Sequence, residues 1–231
     1  MLLNDGKIEF PAVALERVSR LFGTFVALRE VTLGLPAGAS VVLLGENGAG
    51  KSTLLKIVAG LHGPSFGKVR VFGGAPQDQR GRLAYMSHAT MLYDELTGLE
   101  NLTYFAKLQE HAAPEDAAAA GLCAVGLDPA NPRRVGEYSQ GMRQRAALAR
   151  VLLGEPDLLL LDEPFSNLDV GSAQSMIERL LAYVAQPTRD GAPRTLLLTT
   201  HQAELARPLA KTTMTLQGGR VASVIGEAVG T

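Results

Sequence analysis

The sequence carries a single cysteine, Cys123, in 231 residues. One thiol excludes an internal disulfide framework and a cysteine-based zinc site. Nothing in it calls for an oxidising compartment, so the cytosol is the expected location. Excess charge is missing too: 22 Lys and Arg stand against 23 Asp and Glu, a net charge of -1. Retention on nucleic acid by bulk charge is thereby disfavoured, and no nucleic-acid partner is expected. There is no run of about 20 apolar residues, the length that spans a bilayer. Asp5 and Glu9 fall where a secretory leader needs an apolar stretch, so no leader is expected. Internal repeats and long linkers are absent. If the protein works at a membrane, a separate subunit must do the crossing.

What remains is an ordinary globular composition, 46% apolar and 19% charged, with enough chain for one good core or at most two small ones. Many of the 25 glycines punctuate the ends of apolar runs. Val13, Leu15 and Val18 lie in one strand-like run, and Val31, Leu33 and Leu35 alternate in another. Residues 41–44 form a short continuous apolar run, the pattern of a strand buried on both faces. A helix is expected over residues 52–59, ended by Gly60, and alternation resumes over residues 68–72. The middle reads as helical. Thr97-Gly98-Leu99-Glu100 has the capping-box pattern, Pro114 and Glu115 open an alanine-rich helix that Gly126 can end, and Ser139 precedes a third helix that stops at Gly154. Cys123 sits in the alanine-rich helix and reads as a small buried hydrophobe. Residues 158–161 and 195–198 are then expected as buried strands, separated by a helical stripe of Ala173, Met176, Ile177, Leu180, Leu181 and Val184. Alternation returns around residues 214–224. Strands alternating with helices predict an α/β fold with a mostly parallel core sheet.

Residues 45–53 read GENGAGKST and fit the pattern G-x-x-x-x-G-K-[ST]. Gly45, Gly48 and Gly50 let the backbone turn tightly around Asn47 and Ala49 and aim its N–H groups inward. Those groups meet phosphate at the start of a helix, where the helix dipole favours anions. Lys51 adds a mobile positive charge for the terminal phosphates, Ser52 offers a hydroxyl to magnesium, and Thr53 completes the motif. Further on, Asp162 and Glu163 stand at the carboxyl end of a buried strand, the end outside which α/β sheets bind ligands. Asp162 is placed to hold magnesium directly or through water, and Glu163 to orient or deprotonate an attacking water. Without the phosphate loop, an ordinary strand end would be an equally good reading of the two acids.

The ordered set resembles the ATP-binding subunit of an ABC transporter over nearly the whole chain. Residues 45–53 resemble its Walker A loop, and residues 158–163 its Walker B strand with the catalytic glutamate. Tyr138-Ser139-Gln140-Gly141-Met142 resembles the signature motif, usually LSGGQ, and Arg143-Gln144-Arg145 continues it. Ser166-Asn167-Leu168-Asp169 resembles the D-loop. His201, after TLLLTT, resembles the switch histidine, and Phe22 falls where the family stacks an aromatic on adenine. The resemblance implies a P-loop NTPase core with a mostly parallel sheet, an N-terminal antiparallel β subdomain and a helical insert at about residues 90–155. All of this would lie within one ATP-binding domain over residues 1–231. It implies ATP and magnesium as ligands, Glu163 and His201 as catalytic groups, and Ser139 with Gly141 facing the ATP of a second copy in a homodimer. It also implies separate membrane permease subunits and a place at the cytoplasmic face of the membrane. Each residue has a plainer alternative: Ser139 as a helix cap, His201 as a structural or surface histidine, Phe22 as ordinary core.

Two departures stand out. Gln140 and Met142 replace the usual glycine and glutamine of the signature. In Tyr85-Met86-Ser87-His88-Ala89 the family's Q-loop glutamine is missing and His88 takes its place, where it can bind water or magnesium. The stretch from Tyr85 to Thr97 is similar to CcmA-type subunits of the haem exporter of bacterial cytochrome c maturation, which would make the partner a CcmB-type permease. Other prokaryotic exporters of the family share most of the rest. A soluble family ATPase acting on nucleic acid or the ribosome, and a phosphate-loop kinase, remain the rival classes. The single motif set and neutral charge count against the first.

Overall fold

The computed structural model describes residues 11–226 in full. Before them it describes the backbone of two short antiparallel strands, β1 (Leu2–Asn4) and β2 (Lys7–Glu9). Asp5, on which the leader expectation partly rests, lies outside the described residues. A long hairpin follows, β3 (Val13–Phe22) and β4 (Phe25–Leu35). Then come β5 (Ser40–Leu44), α1 (Lys51–Val58) and β6 (Phe66–Val71). β6 returns to pair with β3, so an antiparallel sheet of order β4-β3-β6 forms, as expected at this end of the chain.

Next in sequence is β7 (Leu83–Met86), followed by three helices, α2 (Gly98–Leu108), α3 (Pro114–Ala124) and α4 (Gln140–Leu152). β8 (Leu158–Asp162), α5 (Val170–Val184), β9 (Thr195–Thr199) and the short α6 (Ala203–Ala206) lead to a hairpin of β10 (Thr212–Gln217) and β11 (Arg220–Gly226). Among the described residues the larger sheet has the order β11-β10-β5-β9-β8-β7. Every neighbouring pair is parallel except the terminal hairpin.

The continuous apolar runs are explained by burial on both faces. Successive strand residues point to opposite sides, so Leu159 and Leu161 join Val42, Leu196 and Leu198 on one face. That face packs on Met176, Ile177 and Leu180 of α5 and on the alanines 146, 147 and 149 of α4. Leu158 and Leu160 join Val41, Leu43 and Leu197 on the other face, against Leu54 and Leu55 of α1 and Leu15 and Leu33 of the antiparallel sheet. α1 is thus enclosed between two sheets, and the loop that opens it is anchored by a helix whose apolar side chains are fully buried. Burial of each such leucine is worth about 1.5–3 kcal/mol over exposure.

α2 begins with the anticipated capping box: the Glu100 N–H donates to Thr97 Oγ1 at 3.2 Å and the Thr97 N–H donates to Glu100 Oε2 at 2.8 Å. One side-chain expectation is overturned. Cys123 is exposed. Ala118 and Leu122, one turn apart, carry the buried face of α3, and the next residue is rotated about 100° away from it.

Candidate functional site

The phosphate-type loop lies between β5 and α1, and Gly45, Gly48 and Gly50 all have positive φ. At Gly50, the N-cap of α1 (φ +104°), an added Cβ would lie 2.5 Å from the Ala27 carbonyl oxygen, so a side chain is refused by conformation and by space. Lys51, at 7% exposure, turns back into the loop. Its Nζ donates to the carbonyl oxygens of Gly45 at 2.7 Å and Glu46 at 3.2 Å. The loop is curled around its own ammonium group, as a cradle for anionic oxygens would be.

β8 brings Asp162 alongside. Ser52, in the first turn of α1, donates to Asp162 Oδ1 at 2.9 Å. Thr199, at the end of the neighbouring β9 and in register with Asp162, donates to the same oxygen at 2.8 Å. Tyr85 of β7 donates to Oδ2 at 3.1 Å. Asp162 is only 5% exposed. A buried carboxylate is tolerable only when its oxygens are satisfied by donors or cations, and here three hydroxyls satisfy it. Burial and the adjacent Asp162 charge together push the Tyr85 hydroxyl well above the usual phenol range, so Tyr85 serves as a donor.

Glu163 leaves the strand with φ +52°, a left-handed backbone uncommon for a residue with a side chain. Its N–H is held by the Thr199 hydroxyl at 3.1 Å and by the Thr199 carbonyl at 3.1 Å. The carboxylate meets His201: Nδ1 lies 3.0 Å from Oε2, and the His201 N–H donates to the same oxygen at 3.3 Å. Lys51 Nζ is 3.9 Å from Oε1. Glu163, His201, His88, Gly45 and Asn47 line one cavity of about 480 Å³ together with Glu46 and Ser166. Gly45, Asn47, Gly48 and Ala49 line a second, of about 450 Å³, against residues 215–218.

The fold therefore gathers the loop, Asp162, Glu163, His201 and His88 at one sheet end. Phe22, Ser139 and Gly141 line neither cavity. Phe22 is 43% exposed at the tip of β3, its ring edge-on to His62 and 4.7 Å below the Arg20 guanidinium, so it is not core. Ser139 caps α4, accepting from the Met142 N–H at 3.2 Å. Gly141 packs on α5 so closely that an added Cβ would lie 2.5 Å from Ser172 Oγ, which would then have to shift. Arg143 bonds Asp94 at 2.8 Å and ties α4 to the segment after His88. Met91, Tyr93 and Tyr104 are exposed on that side, with Tyr93 and Tyr104 edge to face at 5.4 Å.

Sequence reasoning missed Thr199 and Tyr85. Thr199 had a signal: a polar residue closing a buried strand beside an acidic strand end. Tyr85 had none, because nothing marked LAYM as a strand next to β8.

Three kinds of likeness relate the chain to known proteins. Residues 28–166 match the ABC transporter family. The chain is 35% identical over 206 residues to the ABC transporter ATP-binding protein NatA of Bacillus subtilis (strain 168), covering 84% of this chain and 80% of that one. It is 35% identical over 218 residues to the aliphatic sulfonates import ATP-binding protein SsuB 1 of Paracoccus denitrificans (strain Pd 1222), covering 92% and 82%. With the Nod factor export ATP-binding protein I of Rhizobium johnstonii (strain DSM 114642 / LMG 32736 / 3841) it shares 33% over 222 residues, covering 94% and 70%. Its fold matches a dimeric, post-hydrolysis ATP-binding cassette, MJ0796 bound to ADP and Pi, with a TM-score of 0.79 at 25% identity, covering 94% of this chain and 99% of that one. Among the described residues no helix is long and apolar enough to cross a membrane. The chain belongs to the ABC transporter family, as one of its ATP-binding, ATP-hydrolysing subunits.

Proposed function

We propose that residues 45–53 bind the phosphates of ATP and that Glu163 is the general base of hydrolysis. The carrying observation is the Glu163 carboxylate 3.0 Å from His201 Nδ1, on a cavity shared with Gly45, Asn47 and His88 and next to Lys51. The donor set suits magnesium: a serine hydroxyl already on a buried carboxylate is an all-oxygen site of the kind this cation takes. Ser52 and Asp162 would hold it, with His88 at the cavity wall as a further ligand or water-binding group. When bound, magnesium supplies charge neutralisation on phosphate oxygens. The chain's own residues do the rest. Lys51 and the loop N–H groups position the phosphates. Glu163 takes a proton from water. His201, held on Glu163, orients that carboxylate and reaches the terminal phosphate. Phe22, exposed at a strand tip, stacks on the base.

In this reading Ser139 and Gly141 act on the nucleotide of a second copy, which is consistent with neither of them lining this chain's own cavities. Residues 1–231 form one nucleotide-binding unit, with residues 90–155 as its helical part. The unit sits at the cytoplasmic face of a membrane against permease subunits, docked through the exposed aromatic surface at Met91, Tyr93 and Tyr104. His88, in the stretch from Tyr85 to Thr97, favours haem export with a CcmB-type permease over other cargoes.

The Glu163→Gln variant tests the chemistry. Hydrolysis should fall about 10²–10⁴-fold with nucleotide binding retained, and wild-type turnover would refute the base assignment. Co-expression with candidate permeases tests the cargo: co-purification with a CcmB-type protein supports haem export, and retention by a different permease alone replaces it.

A further inference from the structure

We propose that Tyr85 is a positioning residue for magnesium, acting through Asp162; this rests on the reading that Asp162 faces the cation. A carboxylate offers about four acceptor sites, two on each oxygen. Three are filled by hydroxyls of this chain: Ser52 and Thr199 on Oδ1, at 2.9 and 2.8 Å, and Tyr85 on Oδ2 at 3.1 Å. One site is left, and it is on the oxygen that Tyr85 holds. Without Tyr85 the only hydroxyl contacts among the described residues are on Oδ1, and Oδ2 is left with no hydroxyl to hold it.

The topology gives this contact its reach. β8 lies between β9 and β7, so the carboxylate at its end is gripped from both neighbours, by Thr199 from one and Tyr85 from the other. Tyr85 pairs with Leu160, two residues short of Asp162. Only a long, rigid side chain spans that offset, which is why a phenol and not a serine makes the bond. Its ring packs on the core side that holds α1, so the hydroxyl is delivered from a fixed base. Three residues later the same strand exit carries His88 into the cavity with Glu163 and His201. Tyr85 therefore fastens the root of the His88 segment to the cation's carboxylate.

The test is Tyr85→Phe, which keeps the ring and deletes the hydroxyl. Binding of a fluorescent ATP analogue to the full chain is titrated with magnesium, starting from EDTA. Outer hydrogen bonds to metal ligands typically govern affinity 10–100-fold, so the magnesium concentration at half-saturation should rise about 10-fold, while binding in EDTA stays at the wild-type value. An unchanged half-saturation overturns the proposal. So does an equal loss of binding in EDTA, which assigns Tyr85 to packing. Asp162→Asn separates this from the underlying reading. It should abolish the magnesium dependence; if it does not, the assignment of Asp162 fails, and the role of Tyr85 with it.

Discussion

Thr199 does two jobs with one oxygen. It donates to Asp162 Oδ1 and accepts from the Glu163 N–H, so the Asp162 carboxylate and the Glu163 backbone are set by the same side chain. Thr199→Val keeps the shape and removes the hydroxyl. A hydrogen bond to a charged group is worth about 1.5–3 kcal/mol, and stability in urea should fall by that amount. An unaltered unfolding midpoint would show that Asp162 is satisfied without Thr199. At this scale the sequence was informative wherever a motif dictates a backbone. Gly45, Gly48, Gly50, Lys51, Ser52, Asp162 and Glu163 could be placed from spacing, because the loop and strand leave them few alternatives. Thr199 and Tyr85 could not, because their roles arise only from strand order. The strand register brings them to Asp162 across 37 and 77 residues of chain.

Helices and strands were legible where hydrophobic periodicity is strong and caps are explicit. β5, β8 and β9 fall within a residue of the apolar runs that announce them, and Thr97 and Ser139 do cap the helices they precede. β7 escaped because four residues carry too little pattern. The error at Cys123 has the same origin. Nearly every residue of PEDAAAAGLCA is small, so the helix has little amphipathic contrast, and tertiary packing alone decides which face is buried. Adjacent substitutions measure that face. Leu122→Ala, in a fully buried position, should cost about 2–5 kcal/mol in unfolding free energy, whereas Cys123→Ser should stay within about 0.5 kcal/mol. Equal losses at the two positions would mean that α3 is rotated from the packing described.

For the whole molecule the sheet order explains how one chain presents several functional surfaces. The strand ends of β5, β8 and β9 carry the phosphate loop, Asp162 with Glu163, and the approach to His201 to one rim. The segment between β7 and β8 carries Ser139 at the start of α4 and exposes Tyr93 in the loop before α2 and Tyr104 within α2. The Arg143–Asp94 ion pair joins these two regions. A charge pair placed on the aromatic surface, Tyr93→Glu with Tyr104→Glu, should lose co-purification with the permease and leave ATP binding at the wild-type level. Permease retained at wild-type yield would move the docking surface elsewhere. The overall α/β architecture was readable from alternating patterns and the ordered motifs, whereas the pairing of copies came only through the family resemblance, since Ser139 and Gly141 line neither cavity of this chain.

That separation leads to the central claim: ATP held by the loop of one copy is completed by Ser139 from another. Light scattering of the Glu163→Gln variant with magnesium and ATP measures it most directly. The account predicts a mass of twice the 24.4 kDa chain with nucleotide and a single chain's mass without it. A particle that stays at 24.4 kDa while binding ATP in full would contradict it.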